Sequence, residues 1–184
     1  SDASGNAAAE VTRTVNVVDT TVPVITLLGE NPVTIEVGST YTDAGATATD
    51  TYDGDLTSSI VVTGAVDAST VGTYILSYDV TDANGNVATT VTRTVNVVDT
   101  TVPVITLTGK PIVTIEVGAT YTDQGATATD NLDRDITSSI VEVSTVDTFI
   151  IGIYTVTYNV SDANGNAAVE VTRTVSIVDT TAPV

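Results

Sequence analysis

Apolar and polar residues alternate along several short segments of the chain. Residues 91–97 (VTRTVNV) and 74–80 (YILSYDV) carry apolar side chains at most of their alternate positions. This period of two is typical of a β-strand with one buried face and one face in water. No segment shows the 3.6-residue period of an amphipathic helix, so the pattern predicts an all-β protein.

Turn signals separate these segments and set the number of strands. Further short strands are predicted at residues 24–27, 33–37 and 60–62 and within the stretch 40–49. The pair Asn84-Gly85 favours a tight hairpin turn, because both residues tolerate a positive φ. About seven short strands in each 80 residues predict a β-sandwich of the immunoglobulin (Ig) type.

An internal repeat sets the domain organisation. Residues 21–100 and 101–180 align without a gap, and 51 of the 80 positions are identical. We therefore predict four parts: a C-terminal tail of a preceding repeat at 1–20, Ig-like repeat 1 at 21–100, Ig-like repeat 2 at 101–180, and the start of a following repeat at 181–184. The chain is expected to be a window on a longer tandem-repeat protein.

The composition excludes most enzyme chemistry. The chain has no His and no Cys, so it offers no imidazole or thiolate ligand for zinc, copper or haem and no Ser-His-Asp or Cys-His relay. With 23 acidic and 5 basic residues its net charge is −18, which makes nucleic acids and anionic membranes poor partners. No apolar run is long enough to span a membrane. We predict that this segment is not an enzyme and does not insert into a membrane.

Several ordered phrases of the sequence carry a family resemblance. PVITL, VTIEVG, YTDxGATATD, GTYxxxYxVTD and RTVxVxD resemble the bacterial Ig-like repeats of large surface proteins and adhesins, of the DUF5011 type and close to HYR modules. The segment around Tyr74, repeated at Tyr154, is similar to the tyrosine corner of Ig domains. The resemblance implies tandem Ig-like β-sandwiches that serve as spacer or adhesive modules of secreted proteins at the cell surface.

Closely spaced aspartates form the strongest chemical signal. Such carboxylates repel one another unless a cation neutralises them, and Ca²⁺ binds six to eight oxygen ligands of this kind. On an Ig-like sandwich the Asp-rich loop, the last hairpin turn and the incoming linker share one pole. The predicted metal-binding residues are Asp19, Asp50, Asp53, Asp55, Asp82 and Asn84 for repeat 1, and Asp99, Asp130, Asp133, Asp135, Asp162 and Asn164 for repeat 2.

A plainer interpretation of these residues stays open. Asp, Asn and Gly are ordinary turn residues that hydrogen-bond their own backbone. In repeat 2 Arg134 replaces Gly54, and its charge could partly substitute for a metal.

Other charged residues are predicted to have structural roles. Asp43 and Asp123 are expected to be structural, and Glu36 and Glu116 to be solvated. The arginines are expected on a polar face with a cross-strand carboxylate as partner; these are Arg13, Arg93 and Arg173.

The sequence predicts an extracellular structural or adhesive repeat that forms a Ca²⁺-stiffened rod or surface fibre. Its partners would be neighbouring Ig-like repeats of the same chain and other copies in a fibre. One alternative is a carbohydrate- or protein-binding module, for which Tyr41, Tyr52, Tyr74 and Tyr78 are the aromatic candidates in repeat 1. Another is a filament subunit assembled by strand complementation, suggested by the unpartnered strand sequence within residues 1–20.

Overall fold

The structure is a computed structural model, and it describes residues 2–183. Within this range the regular structure consists of β-strands and two single-turn 3-10 helices, and no strand precedes residue 24. The all-β prediction is therefore confirmed.

Seven strands recur in each repeat, as the turn spacing predicted. Repeat 1 contains β1 (Val24–Leu27), β2 (Val33–Glu36), β3 (Ala46–Asp50), β4 (Gly54–Asp55), β5 (Val61–Thr63), β6 (Gly72–Asp79) and β7 (Val91–Val98). Repeat 2 contains β8 (Val104–Leu107), β9 (Ile112–Glu116), β10 (Ala126–Asp130), β11 (Arg134–Asp135), β12 (Val141–Ser144), β13 (Gly152–Asn159) and β14 (Val171–Val178). Short 3-10 turns at Thr57–Ser59 and Thr137–Ser139 follow β4 and β11. The sequence did not predict β4 and β11.

Each repeat has one three-stranded and one four-stranded sheet. The sheet orders are β1-β3-β4 and β2-β7-β6-β5 in repeat 1, and β11-β10-β8 and β12-β13-β14-β9 in repeat 2. Strands β13 and β14 pair antiparallel along almost their whole length, from Gly152↔Ile177 to Tyr158↔Val171. Strand β9 runs parallel to β14, so this four-stranded sheet is mixed.

The chain divides into two compact units. The first runs through residue 33 and includes residues 41–67 and 73–96. The second contains residues 34–40, residues 68–72 and the described chain from residue 97 onward. The linker that follows β7 therefore belongs to the second unit.

Alternate residues of the long strands form the cores. In β6 the inward residues Leu76 and Tyr78 are buried, and they pack with Ile25, Ala48 and Val80. The equivalent residues form the core of repeat 2, where Val156, Tyr158 and Val160 are buried with Ile105 and Ala128. Tyrosine and valine are thus among the largest fully buried side chains in a chain without Trp or Met.

An arginine is part of the first core, and the prediction of a polar face for it was wrong. Arg93 lies on the same face of β7 as the buried valines, and its side chain is 1% exposed. Its guanidinium donates hydrogen bonds to the backbone oxygens of Leu28, Glu30 and Gly45. It also forms an ion pair with Asp43, with 3.0 Å between Nε and Oδ1. The partner is a carboxylate, as predicted, but it is not the expected cross-strand residue, because Asp43 lies outside the strands.

Arg173 occupies the same position in repeat 2. It is 1% exposed and pairs with Asp123. Tyr121 and Tyr158 donate their hydroxyl hydrogen bonds to the same carboxylate. The structural role predicted for Asp43 and Asp123 is therefore the neutralisation of a buried arginine. Arg13 differs from both, since it is exposed.

Two local predictions have different outcomes. The tyrosine corner is present in repeat 2, where the Tyr154 hydroxyl donates to the backbone oxygen of Ile150 at 2.8 Å. The connection between β6 and β7 is longer than the expected tight turn, and in the Asn84-Gly85 pair only Gly85 has a positive φ. Asp82 closes this connection, because its backbone N–H donates to the oxygen of Asn86 at 3.1 Å.

Replacement of Arg93 by Met should destabilise the first sandwich. The variant removes the charged partner of Asp43 and one donor from each of three backbone oxygens. Breaking a buried pair by removing one partner costs about 3–5 kcal/mol. Urea unfolding followed by tyrosine fluorescence measures the loss. Arg13→Met is the matched control and should change the free energy of unfolding by less than about 0.5 kcal/mol. Equal stability of the two variants would contradict the structural role of Arg93.

The ion pair of repeat 2 should also make its stability depend on pH. Burial alone would raise the pKa of Asp123, but hydrogen bonds from Tyr121, Tyr158 and Arg173 outweigh burial and lower it to about 2. The unfolded carboxyl has a pKa of about 3.9, so the unfolded state binds more protons in the window between the two values. Stability should be complete above about pH 5 and should fall as the pH approaches 2.

The Asp123→Asn variant isolates this contribution from those of the other carboxylates. Urea unfolding at a series of pH values should show a variant that is less stable than the parent at pH 7, with a difference that shrinks on acidification. A difference that is independent of pH would refute the assignment to Asp123.

Candidate metal centre

Four aspartates from separate parts of repeat 1 meet at one end of the sandwich. Asp50 ends β3, Asp53 lies in the turn to β4, Asp82 follows β6, and Asp19 precedes β1. One carboxylate oxygen from each of the four lies within 4.8 Å of the others. We call these residues the first carboxylate group.

Asp50 is the most informative member of this group. One oxygen, Oδ1, accepts hydrogen bonds from the backbone N–H groups of Tyr52 at 2.7 Å and Asp53 at 3.1 Å, which forms the turn between β3 and β4. The other oxygen, Oδ2, is buried and accepts no hydrogen bond, and the residue is 8% exposed. A buried carboxylate oxygen without a donor is costly unless a cation binds it.

The other members are held by the turn after β6. Asp82 Oδ1 accepts hydrogen bonds from the backbone N–H groups of Asn84 at 2.9 Å and Asn86 at 2.8 Å. The side-chain amide of Asn84 donates to Asp19 Oδ2 at 3.3 Å. Asp53 Oδ2 accepts the backbone N–H of Ala83 at 3.0 Å. The turn therefore positions the carboxylates of Asp19 and Asp53 beside that of Asp82.

Repeat 2 builds a similar group from three aspartates. Oxygens of Asp99, Asp130 and Asp162 lie within 4.8 Å of one another, and we call these residues the second carboxylate group. Asp130 Oδ1 is buried and accepts no hydrogen bond, as Asp50 Oδ2 does in repeat 1. Asp99 is 7% exposed, and the Asn164 amide donates to its Oδ2 at 2.9 Å. All these residues belong to the second compact unit.

The electrostatics of the two groups favour an external cation. Backbone hydrogen bonds from Tyr52 and Asp53 lower the pKa of Asp50, which keeps it ionised at neutral pH. Burial raises the pKa of Asp99 beside the charges of Asp130 and Asp162. Among residues 2–183 the ion pairs are Arg93–Asp43 and Arg173–Asp123, so neither group has a basic partner there.

The structure distributes the predicted ligands over three kinds of position. The residues gathered into the groups are Asp19, Asp50, Asp53, Asp82, Asp99, Asp130 and Asp162. Asn84 and Asn164 donate amide hydrogen bonds to Asp19 and Asp99.

Three predicted ligands lie outside the groups. Asp55 and Asp135 accept the backbone N–H of Thr57 and Thr137 and begin the 3-10 turns. Asp133 accepts the backbone N–H of Ala163 at 2.7 Å and is not among the mutually close oxygens.

Sequence reasoning missed the role of Glu36, which was expected to be solvated. Its carboxylate accepts hydrogen bonds from the backbone N–H of Thr100 at 2.9 Å, the Thr100 hydroxyl at 2.8 Å and the Thr101 hydroxyl at 2.8 Å. The hydrogen bonds from Thr100 and then Thr101 lower the pKa of Glu36 to about 2. Glu116 binds Thr180 in the same way. The recurrence of Glu and Asp-Thr-Thr at a fixed separation in both repeats was the available signal.

The linker Asp99-Thr100-Thr101 is thus held from two directions. Glu36 binds the two threonines, and the side-chain amides of Asn164 and Asn166 bind the carboxylate and the backbone oxygen of Asp99. Asp99 is also a member of the second carboxylate group. A cation in that group would therefore act on the linker itself.

Replacement of Glu36 by Gln should loosen the linker. The amide side chain is a weaker acceptor than the carboxylate, so hydrogen exchange of the Thr100 backbone N–H should accelerate by about 3- to 10-fold. Exchange measured by NMR on the full chain tests this. Glu30→Gln removes the same charge from a side chain outside this contact and should leave the exchange of Thr100 unchanged. Equal exchange in both variants would contradict the role of Glu36.

Comparison with known proteins places the fold and the repeats in a family. The family model described as "Bacterial surface protein, Ig-like domain" matches residues 25–97 and 105–177. Hyalin from Strongylocentrotus purpuratus is 37% identical over 100% of this chain and 16% of that protein. Pesticidal crystal protein Cry22Aa from Bacillus thuringiensis is 35% identical over 75% of this chain and 20% of that protein. The chain spans a fifth or less of the length of these two relatives.

Among solved structures, a lipoprotein from Bacteroides thetaiotaomicron is similar over 44% of this chain and 40% of that chain, with 31% identity and a TM-score of 0.39. In the described part of the chain no helix is long and apolar enough to cross a membrane.

Proposed function

We propose that this chain, which belongs to the family of Ig-like domains of bacterial surface proteins, is an extracellular structural repeat whose linkers are stiffened by bound Ca²⁺. The family is one of surface domains rather than of enzymes, and the chain carries two of its domains in tandem. Neighbouring repeats of the same chain are the partners that follow from this arrangement. The cation, the rod and any fibre are the proposed part.

The observation that carries the proposal is the buried oxygen Asp50 Oδ2, which accepts no hydrogen bond and belongs to a residue of the first carboxylate group. Asp130 Oδ1 repeats it in the second group. Both sites offer only oxygen donors, which select hard cations such as Ca²⁺ over transition metals. Ca²⁺ accepts irregular coordination of six to eight oxygens, and carboxylates from separate loops can supply it together with water.

The linker contacts support a mechanical role for the cation. Asp99 directly follows β7, so a cation bound to it restrains the backbone where the chain leaves that strand. Glu36 restrains the next two residues through Thr100 and Thr101. A linker restrained at three successive residues bends less than one held by chain connectivity alone. A series of such linkers would make a stiff rod suited to a spacer or surface fibre.

The extracellular setting fits the affinity expected of such a site. Extracellular Ca²⁺ modules bind with dissociation constants of about 10⁻⁴–10⁻³ M, and we expect a loop site completed by water to fall in this range. The family model that matches both repeats describes a domain of bacterial surface proteins. We therefore place the working protein at the cell surface.

A protein-binding module is the second candidate, and one observation favours it. In repeat 2 the residues before β13 expose a run of large apolar side chains, with Phe149 79%, Ile150 60% and Ile151 61% exposed. Repeat 1 has Ser69, Thr70 and Val71 at these positions. If the Phe149→Ser variant lost binding to a protein partner, this run would be the binding surface, whereas the rod needs no exposed apolar loop.

Ca²⁺ should stabilise the full chain. At a concentration about ten times the dissociation constant, binding adds about 1.4 kcal/mol, which raises the Tm of a domain of about 80 residues by about 6–11 °C. Thermal unfolding in about 2 mM Ca²⁺ and in EDTA at matched ionic strength measures the shift. Small-angle scattering of the same samples should show a longer and stiffer particle with Ca²⁺.

Two double variants separate the carboxylate groups from general charge. Asp50→Asn with Asp130→Asn should abolish the shift in Tm, because it removes the residues with the unpartnered oxygens. Asp55→Asn with Asp135→Asn removes the same charge outside the groups and should keep most of the shift. An unchanged Tm in the parent protein would rule out the metal. A higher Tm without a change in scattering would rule out the stiffened rod.

A further inference from the structure

We infer that the two carboxylate groups bind a divalent cation with different affinities, so that the first group fills before the second. This rests on the proposed function, because it concerns the same two sites. The first group contains Asp19, Asp50, Asp53 and Asp82, and the second contains Asp99, Asp130 and Asp162. The missing member of the second group is the counterpart of Asp53.

That counterpart, Asp133, is present in the sequence but is not gathered into the group. Asp53 Oδ2 and Asp133 Oδ2 both accept a backbone N–H, from Ala83 at 3.0 Å and from Ala163 at 2.7 Å. Only Asp53 also has an oxygen that lies within 4.8 Å of every other member of its group. The second group therefore presents one fewer anionic ligand, and cation affinity at sites of this kind follows the number of charged ligands.

A second difference acts in the same direction. Residues 50–55 contain three Asp and no basic residue, a net charge of −3, whereas residues 130–135 contain three Asp and one Arg, a net charge of −2. Arg134 directly follows Asp133 and stands where repeat 1 has Gly54. It adopts the left-handed backbone conformation, with φ 66° against 79° for Gly54. The guanidinium repels a cation that approaches this loop.

Burial does not offset these differences. Asp99 is 7% exposed and Asp19 is half-buried, which favours the second group through weaker screening by water. Asp50 is 8% exposed and Asp130 is half-buried, which favours the first group by the same argument. The two burial effects oppose each other, so the number of carboxylates and the charge of the loop decide. We expect the second group to bind at least about tenfold more weakly.

The chain contains a reporter for the first group. Tyr52 lines a small surface cavity together with Asp19 and Asn84. A tyrosine close to bound Tb³⁺ sensitises its luminescence, and Tb³⁺ prefers the same oxygen ligands as Ca²⁺. Repeat 2 has Leu132 at the position of Tyr52. The parent protein should therefore report the first group, and a Tyr52→Leu, Leu132→Tyr variant should report the second.

The experiment titrates Tb³⁺ into the parent protein and the exchanged variant under tyrosine excitation and then displaces it with Ca²⁺. The expected result is saturation of the parent signal at a Tb³⁺ concentration at least about tenfold lower than that of the exchanged variant. Adding Arg134→Gly to the exchanged variant should shift its curve toward that of the parent. Lys110→Ala is the matched control, because it removes one positive charge of repeat 2 from a position outside the group, and it should leave the curve unshifted. Thermal unfolding confirms that each variant is folded.

Each result bears on one of the two proposals. Equal midpoints for the two reporters, or a tighter second group, overturn the inference and leave the proposed function standing. Identical curves with Arg134→Gly and Lys110→Ala overturn the loop charge as a cause of the difference. The proposed function is overturned as well if neither protein gives a Tb³⁺ signal that Ca²⁺ removes and Ca²⁺ leaves the Tm unchanged.

Discussion

The rest of each repeat is arranged around the ion pair of its buried arginine, Arg93–Asp43 in repeat 1 and Arg173–Asp123 in repeat 2. Arg93 reaches from β7 to the backbone oxygens of Leu28 and Gly45, so it joins the four-stranded sheet to the ends of the strands in the other sheet. A guanidinium that is 1% exposed persists only if its charge and its donors are satisfied, and Asp43 and three carbonyl groups satisfy them. The chain has five basic residues, and this arrangement places Arg93 and Arg173 in the cores. Lys110, Arg13 and Arg134 remain for the 23 acidic residues, of which, within residues 2–183, only Asp43 and Asp123 are paired with the core arginines. The carboxylates that meet at the end of each sandwich therefore have no basic partner among the described residues, and this is the premise of the proposed cation.

Turn chemistry and cation binding can be told apart within the chain itself. The segment that begins at Asp2 has the same sequence pattern as the turn at Asp82, and it forms the same hydrogen bonds, from Ser4 and Asn6 to the aspartate. No carboxylate group forms around Asp2 among the described residues. Local hydrogen bonding therefore accounts fully for an aspartate at this turn. It does not account for Asp50 Oδ2, which is buried without a donor although its partner oxygen already closes the turn. The buried oxygens that turn hydrogen bonds leave unexplained belong to Asp50 and Asp130.

The sequence predicts what depends on local pattern and misses what depends on distant contacts. Alternation predicts β6 and β7, the repeat predicts their recurrence, and clustered aspartates predict that Asp50, Asp53 and Asp82 belong together. The same alternation puts Arg93 on the buried face, but a charged residue at an inward position is credible only once Asp43 and the carbonyl groups around it are known. Glu36 lies 64 residues from its partner Thr100, so its role requires the fold. Asp55 shows the opposite kind of error. Its close spacing to other aspartates predicts a metal ligand, but its carboxylate accepts a hydrogen bond from the backbone N–H of Thr57 and so has a local role in the turn.

The two repeats share their buried ion pairs and linker contacts, here called the framework, and differ in the loops at the ends of the sandwiches. The buried pairs Arg93–Asp43 and Arg173–Asp123, the Glu and Thr contacts of the linkers and the aspartate that follows the last strand are the same in both repeats. The changes include Tyr52 to Leu132, Gly54 to Arg134 and the apolar run at Phe149. A change in the framework would alter folding, because each of its contacts satisfies a buried or ionised group. A change in an end loop alters the charge presented to a cation while the strands stay in place. Under the proposed function, the stiffness of each linker would then be set by a single loop residue without cost to the sandwich.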